Sequence, residues 1–327
     1  MSGDRQQDRR KESALDTANL AQELAASVRA RERRAVARAL TEAERQSSLA
    51  AELLSELKEH VGRALVIGFT GPPGAGKSTL VDAYVREVRR RGLTAGVIAV
   101  DPSSPVSGGA ILGDRVRMTA GLEDEGVFVR SLASRGHLGG LSPAAVRMID
   151  ILDAAGYDRI LIETVGTGQS EIDIAQVTDV RIVISAPGLG DEIQAMKSGL
   201  LEIADILVVN KADREGANVT FQQLKSALAM RSGARTQTPV LKTTAITGDG
   251  VAALADAVEE IGESRLRLGA QTRRRMRARY LIARAAAELV EAEIRQSEAE
   301  HLDELSDALL DGKLSAAEAA GRLLSRR

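Results

Sequence analysis

The pattern of apolar and polar positions divides this chain into three parts. From about residue 13 to 60 Ala, Leu, Glu and Arg follow one another without Gly or Pro, which predicts two helices behind a charged, disordered start. From about 63 to 262 short apolar runs alternate with amphipathic stretches. The runs at 64–70, 94–100, 126–130, 159–163, 180–186, 205–210 and 239–243 read as strands, and helices fit between most of them. Such alternation predicts an α/β fold with a doubly wound, mostly parallel sheet, whose ligand sits at the carboxyl ends of the strands. From about 264 the helical period returns through Met276, Tyr280, Ala287, Val290 and Ile294, with further helices at 302–310 and from about Ser315. Three segments follow: a helical extension over 1–62, a sheet domain over 63–263 and a C-terminal helical arm over 264–327.

Composition narrows the function classes. With 44% hydrophobic residues in 327, a sizeable core is available, built from aliphatic and Ala packing because aromatics are only 2%. Few aromatics and a net charge of −2 argue against a nucleic-acid binder, although Arg29, Arg31, Arg33 and Arg34 form a local basic cluster. The absence of Cys removes disulfides and thiolate metal sites. No run reaches the roughly 20 apolar residues of a membrane span, and no leader pattern opens the chain, so a cytoplasmic location without membrane contact is expected.

The chemistry begins where the first strand ends. Gly71-Pro72-Pro73-Gly74-Ala75-Gly76-Lys77-Ser78, followed by Thr79, fits the phosphate-binding P-loop pattern in its strand–loop–helix setting. Glycines let successive N–H groups close around an anion, and the next helix adds its positive end. Lys77 is expected at the β- and γ-phosphates and the Ser78 hydroxyl on Mg²⁺. Asn210-Lys211-Ala212-Asp213, at another strand end, matches N-K-x-D. The Asp213 carboxylate can accept from N1–H and the 2-amino group of guanine, which adenine lacks. Asn210 is expected to brace the loops and the Lys211 stem to lie on the base. Thr244-Ala245 fits the loop whose backbone N–H meets guanine O6.

A further strand end carries Glu163-Thr164-Val165-Gly166. Glu163 suits a magnesium-side acid acting through water, and the Gly166 N–H a contact to the γ-phosphate. Asp101 and Asp114 can reach the metal and the attacking water, or serve as turn and cap residues. The segment 187–197, with two glycines and a charged cluster, reads as a mobile loop or a plain βα connection.

Taken together, these residues resemble the MeaB/ArgK family of P-loop GTPases, the metallochaperones of methylmalonyl-CoA mutase. The resemblance rests on GPPGAGKST at 71–79, DPSSP at 101–105, SGGAILGDR at 107–115, SRGHLGGL at 134–141, ETVGTGQSE at 163–171, PGLGDEIQAMKSG at 187–199 and NKAD at 210–213. It implies a Mg²⁺-dependent GTPase that binds GTP and GDP and attends an adenosylcobalamin-dependent methylmalonyl-CoA mutase, or a related acyl-CoA mutase, gating cofactor loading and protecting the enzyme. It also implies homodimers through the C-terminal helices, Asp101, Asp114 and Glu163 around the magnesium and the water, and switch segments at about 101–118, 163–171 and 187–198. Family members have been labelled transport kinases; no residue pattern here supports kinase chemistry. A metal-insertion GTPase for another metalloenzyme is the alternative, and the scattered His60, His137 and His301 give it little support.

Overall fold

A computed structural model describes residues 2–101, 124–133, 141–164, 170–189, 199–229, 238–296 and 299–324. The chain divides into two compact units, Met1–Arg277 and Ala278–Arg327. The first opens with helices α1 (Ser2–Arg29), α2 (Arg33–Arg45) and α3 (Ser48–Leu57), then a 3-10 turn at Lys58–His60. Three helices stand where the pattern predicts two. The breaks are made by Arg31 and Gln46, both left-handed at φ 58° and 54° without being Gly or Asn, so the sequence carries no breaker there. Ser47 then caps α3 by accepting from the Ala50 N–H.

The sheet follows with β1 (Leu65–Thr70), α4 (Lys77–Arg90), β2 (Ala95–Asp101), β3 (Val127–Ala133), α5 (Pro143–Ala154), β4 (Arg159–Glu163), α6 (Ser170–Val177) and β5 (Val180–Ser185). It is completed by α7 (Leu200–Ile203), β6 (Ile206–Val209), α8 (Ala217–Ala229), β7 (Val240–Lys242) and α9 (Val251–Leu266). Each of the seven predicted runs overlaps a strand, with β3 continuing three residues past its run to Ala133, and their order is β3-β2-β4-β1-β5-β6-β7, parallel throughout. β1 lies at the centre, with β2 reached across β4 on one side and β5 on the other, so the strand order reverses at β1. That reversal opens a crevice beyond the strands' carboxyl ends.

β1 is buried at every position, as a parallel strand covered on both faces must be. Leu65, Ile67 and Phe69 join Leu80, Tyr84 and Val88 of α4 and Leu254 and Val258 of α9 in one core. The alternate residues meet the other layer: a Cβ on Gly68 would stand 2.7 Å from Ile174 of α6, and one on Gly96 3.0 Å from Leu152 of α5. The helices α1–α3 pack on one another and on α5 as an outer layer. Arg31 and Arg33 of the basic cluster are used in that docking. Arg31 donates to the Ala155 and Gly156 carbonyls and lies over the Tyr157 ring; Arg33 donates to the Val127 carbonyl and lies over Phe128. The cluster thus secures the β3 edge of the sheet.

The amino ends of the central strands are fixed by buried charge. The Asp153 carboxylate accepts from the backbone N–H groups of Gly62, Arg63 and Ala64. Asp179 accepts from Val66 N and from Arg273 Nη1, each at 2.9 Å. Arg273, on α10 (Ala270–Gln296), also donates to the carbonyls of Ala64 and Gly62. At the far end of α4, hydrogen bonds from Arg90 and Arg91 hold the Glu87 carboxyl down to about 2.

The second unit holds the rest of α10 with α11 (Ala299–Leu310) and α12 (Ala316–Leu324). Gly312, at φ 70°, ends α11. Ser315 and Glu318 then form a reciprocal cap for α12, with Glu318 Oε2 accepting from Ser315 N at 2.8 Å and Ser315 Oγ from Glu318 N at 3.2 Å. Among the described residues no helix is long and apolar enough to cross a membrane.

Candidate nucleotide-binding site

The loop between β1 and α4 lies at the strand-order reversal. Gly71 has φ 143°, and a Cβ there would stand 2.1 Å from the Ile184 carbonyl oxygen, so only Gly lets the loop leave β1 against β5. Gly76, at φ 83°, turns the chain into α4, and a Cβ there would stand 2.6 Å from Asn210 Nδ2. Pro72, Pro73, Gly74 and Ala75 lie between, with Ala75 N donating to the Pro72 carbonyl. Lys77 is buried inside this loop, its ammonium donating to the carbonyls of Gly71 at 2.9 Å and Pro72 at 3.0 Å. The cation is thereby held in the concavity of the loop, where an anion would be bound.

The next residue faces β4. Ser78 Oγ donates to Glu163 Oε1 at 2.6 Å. Glu163 reaches this place because its strand pairs with β1 in the register Phe69↔Glu163. A hydroxyl and a buried carboxylate meeting here form a hard-oxygen donor set of the kind Mg²⁺ takes. Directly behind it, Thr164 Oγ1 donates to Thr70 Oγ1 at 3.0 Å and Thr164 N to the Phe69 carbonyl, tying the end of β4 to the end of β1. In the register Ala99↔Glu163, Asp101 lies two residues farther along the strand next to Glu163. Asp114 and Gly166 lie outside the described residues, as do all of 102–123 and 165–169 and most of the 187–197 segment.

A second pair of loops completes the site. Asn210, after β6, is 2% exposed and joins three segments through one carboxamide. Its Nδ2 donates to the carbonyls of Ala75 at 3.0 Å and Gly76 at 3.3 Å. Its Oδ1 accepts from Thr243 Oγ1 at 3.1 Å and Ala245 N at 3.2 Å. Lys211 adopts φ 55°, and its ammonium crosses to the Gly74 carbonyl at 2.6 Å, laying its stem along the phosphate loop. Thr244 N donates to the Asp249 carbonyl, closing a turn after β7. One pocket is lined by Gly76 and Thr79 of the first loop, Asn210, Lys211, Asp213 and Arg214 of the second, and Thr244, Ala245 and Ile246 of the third.

The structure therefore brings Gly71–Thr79, Glu163, Asn210, Lys211, Asp213, Thr244 and Ala245 to one end of the sheet. The sequence reading did not single out the Thr70–Thr164 pair, Arg214 or Ile246. Each adjoins a motif residue, and adjacency was the one signal available.

Residues 36–300 match the family described as methylmalonyl Co-A mutase-associated GTPase MeaB. A putative GTPase of Pyrococcus horikoshii is 46% identical over 260 residues, covering 77% of this chain and 82% of that one. A putative GTPase of Caulobacter vibrioides is 37% identical over 319 residues, covering 95% and 98%. Among solved structures, one described as a LAO/AO transport system kinase superimposes with a TM-score of 0.72 at 27% identity, covering 92% of this chain and 95% of that one.

Proposed function

The chain belongs to the MeaB family of methylmalonyl Co-A mutase-associated GTPases, and from that premise we propose that it is a Mg²⁺-dependent GTP hydrolase serving as chaperone to an adenosylcobalamin-dependent methylmalonyl-CoA mutase. In this reading GTP hydrolysis gates cofactor loading and protects the mutase, in the cytoplasm and from a homodimer joined through the C-terminal helices. The observation that carries the nucleotide part is the Asn210 carboxamide. By bonding the phosphate loop on one side and the Thr243–Ala245 loop on the other, it makes phosphate and base subsites one continuous site. The mutase part rests on the family's association.

Catalysis in such a site is positioning plus charge stabilisation. Lys77, swung from the Gly71 and Pro72 carbonyls onto the β- and γ-phosphates, offsets charge that accumulates as the terminal phosphoryl leaves. The amides of Gly74, Ala75 and Gly76, with the start of α4, cradle the remaining oxygens. Ser78 and Glu163, already in contact, would hold Mg²⁺, which when bound would neutralise phosphate charge. Asp101 and Asp114 order the attacking water, and the Gly166 N–H meets the γ-phosphate. Asp213 selects guanine by its N1–H and 2-amino group, Lys211 covers the ring, and the backbone of Thr244 and Ala245 meets O6.

The test is nucleotide turnover by the purified chain, alone and with the mutase. GTP but not ATP is expected to be hydrolysed, faster with the mutase present, and not at all by Lys77→Ala. Equal turnover of ATP would remove the base assignment. Failure of the mutase to co-elute with the chain, or to stimulate it, in any nucleotide state would remove the partner.

A further inference from the structure

Two threonines stand at the adjoining ends of β1 and β4, inside the sheet. Thr70 is fully buried and Thr164 is 1% exposed. Thr164 Oγ1 donates to Thr70 Oγ1 at 3.0 Å. Taking two hydroxyls out of water costs solvation that a pair of valines would not incur. Val183, beside Thr70 on β5, shows that a branched apolar residue fits this face. What the two hydroxyls add is the bond between them.

The place of that bond gives it a use. Side chains alternate along β4: Leu161 joins the core with α4, and Glu163, two residues on, reaches Ser78 of α4. Thr164 therefore projects from the other face, that of α6. Thr70 does the same on β1, where Gly68, two residues earlier, lies against Ile174 of α6. The pair thus stands directly behind the carboxylate.

Backbone pairing between the two strands stops at the same point. The register ends at Phe69↔Glu163, and Thr164 N donates to the Phe69 carbonyl at 3.1 Å. Beyond Thr70 the chain leaves β4: Gly71 closes on the Ile184 carbonyl of β5, and Pro72 has no N–H to donate. The hydroxyl bond carries the tie one residue past the register. Ser78, in the first turn of α4, is placed by the phosphate loop after β1. Its 2.6 Å contact with Glu163 therefore depends on where the end of β4 stands against β1.

We infer that Thr70 and Thr164 are positioning residues for the magnesium site. Their bond holds the end of β4 so that the Glu163 carboxylate stays opposed to the Ser78 hydroxyl. Mg²⁺ demands a near-ideal arrangement of oxygens, and groups that orient a metal's ligands govern affinity strongly. The inference rests on the magnesium reading above and goes beyond it in assigning the pair that aims its carboxylate.

Calorimetry on the whole chain tests it, with the β,γ-imido analogue of GTP titrated in Mg²⁺ and in EDTA. Thr164→Val is expected to leave the affinity in EDTA within about twofold and to cut the strengthening by Mg²⁺ about tenfold. Thr164→Ser keeps a hydroxyl and should retain most of that strengthening. The thermal midpoint of the nucleotide-free protein should fall in Thr164→Val, which leaves the Thr70 hydroxyl buried without this bond. It should recover when Thr70→Val is added, because both hydroxyls are then gone, while the Mg²⁺ effect stays weak. That split separates positioning from packing. Recovery of both quantities in the double variant overturns the inference. So does a Mg²⁺ effect in Thr164→Val within about twofold of the unaltered chain, or an equal loss of affinity in EDTA. If the unaltered chain binds the analogue equally in Mg²⁺ and in EDTA, the magnesium reading fails first and this inference with it.

Discussion

Replacing Asn210 by Ala separates the two jobs of one buried carboxamide. Four hydrogen bonds disappear, at 3.0, 3.3, 3.1 and 3.2 Å. They are not equivalent. The Gly76 carbonyl still accepts from Leu80 N, so it keeps a partner. The Thr243 hydroxyl can rotate to another acceptor. The Ala75 carbonyl and the Ala245 N–H lose the bonds that tie them to the second loop. At about 1–1.5 kcal/mol for each of these two, the nucleotide-free protein should lose about 2–3 kcal/mol. With Ala75 and Ala245 no longer held in register, GDP should bind about 30-fold more weakly, an additional 2 kcal/mol paid on ordering the loops at binding. Urea unfolding of the nucleotide-free protein gives the first quantity and calorimetry the second. Asn210→Asp is the control. It keeps the acceptor for Thr243 and Ala245 but turns a carboxylate toward the Ala75 and Gly76 carbonyls, so pyrophosphate binding should fall further than in Asn210→Ala. Stability within 0.5 kcal/mol and affinity within about twofold of the unaltered chain would refute the bracing argument.

Three other outcomes are expected. Asp213→Asn should weaken GDP and make xanthosine diphosphate the preferred ligand by calorimetry, because the amide nitrogen meets the 2-amino donor of guanine but can donate to the 2-oxo group of xanthine. A chain ending at Arg277 should be monomeric by light scattering and bind GDP. One ending at Gly262 should be less stable by about 3–5 kcal/mol, since it strands Asp179 without Arg273. Glu87→Gln should cost about 1 kcal/mol at pH 7, reduced for the exposure of Arg90. Because the folded carboxyl is held near 2, below its ordinary 4.5, that contribution is complete above pH 4.5 and fades as pH falls toward 2. An equal gap between the two proteins at pH 7 and pH 2.5 in urea unfolding would contradict it.

The seven strands were legible because each is a short apolar run, bounded on at least one side by Gly, Pro, Asp or Asn, and the loops after β1 and β6 because their glycines and acids have fixed jobs at strand ends. The breaks at Arg31 and Gln46 were not, since neither residue type marks a left-handed turn. Nor was the fastening of β1 by Asp153, Asp179 and Arg273. These residues lie far from it in the chain, and nothing local distinguishes a carboxylate that will bond backbone amides from one that will stay in water. The basic cluster shows the same limit: the sequence displays the charges but no partner for them, while Arg31 and Arg33 dock on aromatic rings.

The strand order has a consequence for how the protein is made. β1, buried at every position, is the first strand to be synthesised, yet Leu65 pairs with Arg159 and Ile67 with Val180. No neighbour of β1 exists until β4 has left the ribosome. The nascent chain must therefore carry an unpaired apolar strand through the synthesis of more than a quarter of its length, on the order of ten seconds of elongation. Sheets assembled from such distant partners close slowly. The helices α1–α3, whose contacts with one another are local, can form during that interval, but α5, on which they pack, arrives only with β4. A truncated nascent chain stopped before β4 is thus the species most exposed to aggregation and to chaperone capture.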